Sequence, residues 1–200
     1  MAPATMNAPP NISTSASAPD TMNFEPTESS ANLAARIIVT GGTFDKHYDA
    51  IKGELTFKNS HLPMILEQSR VTVPIALEIN QLIDSLNMLD EHRERVLESC
   101  RAAPEAHIVV IHGTDTMAQT ARLVGAAKLG KTIVFTGAMI PYSVQGSDAL
   151  FNLGFALAAA QAMPANTYVA MNGRLFTWDQ VVKNKTQGIF ESENSRAGQD

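Results

Sequence analysis

Three segments set threonine beside glycine: Thr40-Gly41-Gly42-Thr43, His112-Gly113-Thr114-Asp115-Thr116 and Thr136-Gly137-Ala138-Met139. Each follows a short apolar run. Glycine lets backbone N–H groups come close to a ligand, and a helix N-terminus beyond such a loop favours negative charge. The usual phosphate patterns are absent. There is no G-x-G-x-x-G and no G-x-x-x-x-G-K-[ST], so neither a dinucleotide nor a nucleotide loop is indicated. No G-x-S-x-G exists either, which removes the hydrolase elbow. Paired loops with a threonine beside glycine instead suggest hydroxyl nucleophiles held over a small substrate. Metal chemistry is not expected. Cys100 is the single cysteine, and His47, His61, His92, His107 and His112 never take the i, i+4 spacing of a metal-binding helix.

These loops need elements to hold them. Arg36 to Thr40 reads as a buried strand, Pro63 to Ser69 as a helix and Val71-Thr72-Val73 as a strand. Asp90 to Arg101 reads as a helix, Ile108 to Ile111 as a strand, and Asp115 to Leu129 as a helix stopped by Gly130. Thr132–Thr136, Asp148–Met163 and Thr167–Met171 continue the pattern as strand, helix and strand. Alternating helices and continuously apolar strands predict an α/β fold: an open, mostly parallel sheet with helices on both faces, in three layers. In such sheets ligands sit beyond the carboxyl ends of the strands, where the Gly/Thr loops fall.

At 200 residues, 44% hydrophobic and 18% charged, the chain has the composition of one folded domain. A net charge of -5 argues against a nucleic-acid surface, and no apolar run is long enough to span a membrane. Residues 1–35 hold five of the ten prolines and no Lys or Arg. They read as a disordered, dispensable tail rather than a targeting signal. A folded domain is expected over 36–190 and a fraying polar tail over 191–200.

Taken in order, these segments resemble the bacterial-type L-asparaginase family. The pieces are Thr40 to Thr43, His112 to Thr116, Lys131 to Met139, Asp148 with Phe151-Asn152-Leu153, Met171-Asn172, and Asp179 to Thr186. The likeness covers nearly all of 36–190. Longer members continue into a second domain, so the chain is most similar to short, single-domain forms. The resemblance implies that a threonine hydroxyl attacks an asparagine side-chain amide, giving an acyl-enzyme and ammonia. Water then releases aspartate.

By motif position the resemblance makes Thr43 the nucleophile and Tyr48 the proton acceptor beside it. It implies a trio of Thr114, Asp115 and Lys183 that relays a proton and holds the substrate ammonium. Lys185 leaves the register of that lysine ambiguous. Asp84-Ser85-Leu86-Asn87-Met88 resembles the family's D-S-x-D-M segment, so Ser85 is expected on the substrate α-carboxylate. Leu86 and Asn87 depart from its usual polar and acidic residues. Ala138 would offer its backbone carbonyl to the leaving amide. His112 is expected to be structural rather than a base. No metal and no cofactor are implied.

Two other functions stay open: an amidase acting on another asparagine- or glutamine-like amide, and a non-catalytic amino-acid-binding module of the same fold. The small-molecule partner is expected to be L-asparagine and the compartment the cytoplasm. Ala149 to Met163 is apolar nearly all round, with only Asn152 and Gln161 polar. A homodimer or homotetramer burying its outer face is expected, unless the segment Gly173–Phe190 covers it.

Overall fold

The computed structural model describes residues 34–196, so most of the expected 1–35 tail lies outside the described residues. In chain order the elements begin with β1 (Ala35–Gly41), a small hairpin of β2 (His47–Asp49) and β3 (Glu54–Thr56), and α1 (Leu62–Gln68). They continue through β4 (Ile75–Ile83), α2 (Asp90–Ala102), β5 (His107–Ile111), α3 (Met117–Ala126), β6 (Thr132–Thr136), α4 (Ala149–Ala162) and β7 (Thr167–Met171). Four short elements close the described part: β8 (Arg174–Thr177), β9 (Val181–Asn184), β10 (Ile189–Ser192) and α5 (Glu193–Arg196).

The main sheet runs β4-β1-β5-β6-β7-β8. Its first five strands are parallel and β8 pairs antiparallel to β7. Side chains alternate across a strand, and here both sides are apolar. Ile37, Val39, Val109, Ile111 and Val134 pack with Leu62 and Ile65 of α1 and Leu153 and Ala156 of α4. Ile38, Ile108, Val110, Ile133 and Phe135 pack with Val96 and Leu97 of α2 and Met117 and Val124 of α3. That sandwich explains the continuous hydrophobic runs, because a strand covered on both faces has no solvent side to mark with polar residues.

From β1 the chain passes to β4 on one side, then returns to β5 on the other. This reversal opens a crevice at the carboxyl ends of β1 and β5, which is where open α/β sheets take their ligands.

Two expectations need correction. Val71-Thr72-Val73 is not a strand, and pairing with β1 begins at Ile75. β4 is an edge strand, and Glu78, Asn80 and Gln81 interrupt its apolar pattern; Glu78 is there to meet Arg36. The carboxyl end is also not frayed from Glu191, because β10 and α5 carry the described chain to Arg196. Phe190 is buried there, and Glu193 accepts a hydrogen bond from Arg122 at 2.6 Å.

Candidate active site

Thr43 opens a 3-10 turn, Thr43–Asp45, directly beyond β1. Gly42 gets the chain into that turn with φ 72 and ψ -172, a conformation open in practice to glycine alone. It also passes so close to the β5 loop that a Cβ would sit 2.4 Å from the Gly113 Cα. Thr43 itself is half-buried. The next three residues tie it down in three directions. Phe44 is fully buried, and its carbonyl accepts from the Tyr142 N–H at 3.3 Å. The buried Asp45 carboxylate accepts from the His61 N–H at 2.8 Å and the Ser60 hydroxyl at 3.1 Å, at the start of α1. Burial holds the Asp45 carboxyl above the usual carboxylate range. Lys46 pairs with Asp84.

Ser85 lies in the turn that follows β4, a second 3-10 turn over Ser85–Asn87 capped by Asp84, which accepts from the Leu86 N–H at 3.0 Å. Its side chain is packed against Gly113, where a Cβ would lie 2.5 Å from the Ser85 Oγ. The Ser85 hydroxyl is buried without a hydrogen-bond partner among the described residues. Thr116 fixes the turn from outside by donating to the Ser85 carbonyl at 2.9 Å, and Arg93 does so by donating to the Met88 carbonyl at 2.8 Å.

From the β5 loop, Thr114 and Asp115 meet Lys183. The ammonium donates to the Thr114 Oγ1 at 2.7 Å and to the Asp115 Oδ1 at 2.7 Å. Asp115 does not cap the following helix, which starts only at Met117 with Thr116 before it. The register ambiguity resolves through strand periodicity. Val181 and Lys183 share one face of β9; Val181 is fully buried, so Lys183 is carried inward to 10% side-chain exposure. Lys185 falls past the strand end and is exposed. Phe190, opposite Lys183 on β10, is buried too and seats the ribbon.

His112 is structural. Its Nδ1 donates to the Gly113 carbonyl at 2.8 Å, which leaves Nε2 to accept from the Thr120 hydroxyl at 2.9 Å. Complete burial pushes the imidazole down to about 4, and the nearby Arg93 charge adds to the effect against the Gly113 bond. Both ring nitrogens are used to hold the loop.

Ala138 is buried in the loop after β6. The Asp148 carboxylate shapes this loop by accepting from the Met139 and Ile140 N–H groups, each at 3.0 Å. Asn152 donates to the Gly137 carbonyl at 2.9 Å, and Asn172 donates to Asp148 at 3.1 Å. Burial works against the Asp148 charge, but the Ile140, Met139 and Asn172 donors outweigh it and hold the carboxyl below its ordinary range.

The structure thus brings Thr114, Asp115 and Lys183 together, with the Ser85 turn packed on Gly113. It does not bring Tyr48 to them: this residue sits on the hairpin across from Leu55 and is 64% exposed. Sequence reasoning named no role for Asp45, Lys46, Arg93 or the Asp148–Asn152–Asn172 network. The last three stood inside a recognised motif order. Asp45 and Lys46 carried only their adjacency to Thr43.

Fold and site together define a mostly parallel α/β protein with a hydroxyl, carboxylate and ammonium centre at its topological switch point. The chain belongs to the asparaginase family, for residues 35–197 match the family model described as Asparaginase, N-terminal. L-asparaginase 1 of Escherichia coli K12 is 31% identical over 172 residues, covering 79% of this chain and 50% of that protein. A glutaminase-asparaginase of Pseudomonas fluorescens is 28% identical over 161 residues, covering 74% of this chain and 44% of the other. Among solved structures, a probable cytoplasmic L-asparaginase from Campylobacter jejuni superposes with a TM-score of 0.70 at 29% identity, over 80% of this chain and 52% of that one. The chain spans about half the length of the curated relatives it matches.

Proposed function

We propose that the chain hydrolyses L-asparagine to L-aspartate and ammonia through an acyl-enzyme on Thr43. The observation that carries this reading is the Lys183 ammonium set between the Thr114 hydroxyl and the Asp115 carboxylate. Thr43 Oγ attacks the amide carbon and gives up its proton. The amide nitrogen leaves as ammonia, and water then cleaves the threonine ester to release aspartate and restore the hydroxyl. Thr114 and Lys183 form a proton relay beside the amide, while Asp115 holds the substrate ammonium. The buried Ser85 hydroxyl supplies the missing partner for the α-carboxylate, and the Ala138 carbonyl receives the leaving amide N–H. Tyr48, exposed on the β2–β3 hairpin five residues after Thr43, is the proton acceptor in this reading.

A longer amide is the second reading, favoured by the glutaminase-asparaginase relative. Ammonia release from asparagine and from glutamine by the purified protein tests both. Release from asparagine in clear excess supports the first reading, and its absence with both substrates refutes the pair.

We place the protein in the cytoplasm, like the named Campylobacter neighbour. No helix among the described residues is long and apolar enough to cross a membrane. We also propose a homodimer or homotetramer assembled through the outer face of α4. Leu150 is 42% exposed and Phe151 62%; Gly173 lies beside Phe151 and Leu175 packs on the α4 side, but Val181 and Phe190 dock on the opposite side of the sheet, so the Gly173–Phe190 segment covers this face only in part. Leu157 faces the core and is not part of this surface.

A further inference from the structure

We infer that the Lys46–Asp84 ion pair is a specificity-determining strut that sets the length of amide the site accepts. The inference rests on the asparagine reading above. Under that reading a substrate spans two turns, with its amide carbon at the Thr43 turn and its α-carboxylate at Ser85. Two points join those turns directly. On the inner side the Gly42 N–H donates to the Ile83 carbonyl at 3.0 Å. On the outer side Lys46, three residues after Thr43, pairs with Asp84, the residue immediately before Ser85.

Neither partner is free to wander. Asp84 also accepts from the Leu86 N–H at 3.0 Å, so the carboxylate that holds Lys46 is the one that shapes the Ser85 turn. Burial opposes its charge, but the Lys46 and Leu86 donors prevail and keep the carboxyl below its ordinary range. Lys46 has its ammonium 5.9 Å from the Phe57 ring centroid, and its carbonyl accepts from the Ser143 hydroxyl at 2.9 Å. The side chains are only 19% and 26% exposed, so the pair is shielded from solvent more than an ordinary surface ion pair. Two anchors fix a spacing where one would leave a hinge. Asparagine and glutamine differ by one methylene, a difference of about 1.5 Å, which a fixed span distinguishes and a hinged one does not.

The test is a double-mutant cycle read as the asparagine-to-glutamine ratio of kcat/KM. Lys46→Met removes the charge and keeps the stem, while Asp84→Asn keeps an acceptor for the Leu86 N–H. Each single variant should lower the ratio about fivefold, mainly through KM, and the double variant should lower it no further. Lys46→Arg, which retains the charge, should preserve most of the discrimination. A purely structural contact would shift melting temperature and leave the ratio alone. Calorimetric binding of L-aspartate and L-glutamate gives the same comparison without turnover. An active enzyme whose ratio stays within twofold of wild type in both singles overturns the strut alone. A wild-type protein that neither releases ammonia nor binds either amino acid overturns the asparagine reading and the strut with it.

Discussion

Replacing Gly42 by alanine should damage this protein far more than the same change at Gly130. Both glycines have positive φ, 72 and 70. Backbone strain at a positive-φ position costs about 1–3 kcal/mol for a residue with a Cβ. At Gly130 nothing lies within 4 Å of the added Cβ, so strain is the whole cost. At Gly42 the Cβ would meet the Gly113 Cα at 2.4 Å and the Gly113 N at 2.5 Å. Backbone cannot rotate away, so overpacking adds about 1–3 kcal/mol. The sum is about 2–6 kcal/mol, and the melting midpoint should drop on the order of 10 °C. Thermal and urea unfolding of both variants measures the difference. Activity below the transition should also fall at Gly42, because separating the β1 and β5 loops displaces Thr43 from Thr114. Equal melting points for the two variants would refute the packing argument.

Other outcomes follow from the same geometry. The folded-state value of His112, about 4, lies below the ordinary 6.5 of imidazole. Stability from its neutral ring is therefore complete above that value and is lost as pH falls towards 4, by up to about 3 kcal/mol; a His112→Gln variant should show a flatter melting-temperature profile over this window. Lys183→Met should cut turnover by at least about a hundredfold, whereas Lys185→Met should leave it within about twofold, as steady-state ammonia release can show. Phe151→Asp should lower the solution mass seen by light scattering while the monomer keeps its fold, and an unchanged mass would remove α4 from the interface.

The strands that the sequence displays most plainly, β1, β5, β6 and β7, are those buried on both faces: their central residues are apolar, and the buried threonines Thr40, Thr132, Thr136 and Thr167 stand at or near their ends. β4 escaped detection for the opposite reason, since an edge strand tolerates Glu78 and Asn80 and uses them to meet Arg36 and Ser99. The β7–β8 hairpin had a local signal that went unused. Asn172-Gly173 is a two-residue loop with φ 50 and 79, the primed turn that joins twisted antiparallel strands. Lys183 could be paired with Thr114 only by family order, because their 69-residue separation closes through β9 packing. The Lys46–Asp84 pair had no such guide. Ion pairs across 38 residues leave no periodicity to read.

Acid quenching during asparagine turnover, followed by peptide mapping, shows whether Thr43 carries the acyl group. Mass spectrometry should find an aspartyl ester on the peptide containing Thr43, and Thr43→Ala should lose both the ester and ammonia release while melting within about 2 °C of wild type. An ester on Thr114, or full ammonia release by Thr43→Ala, would rule Thr43 out as the nucleophile.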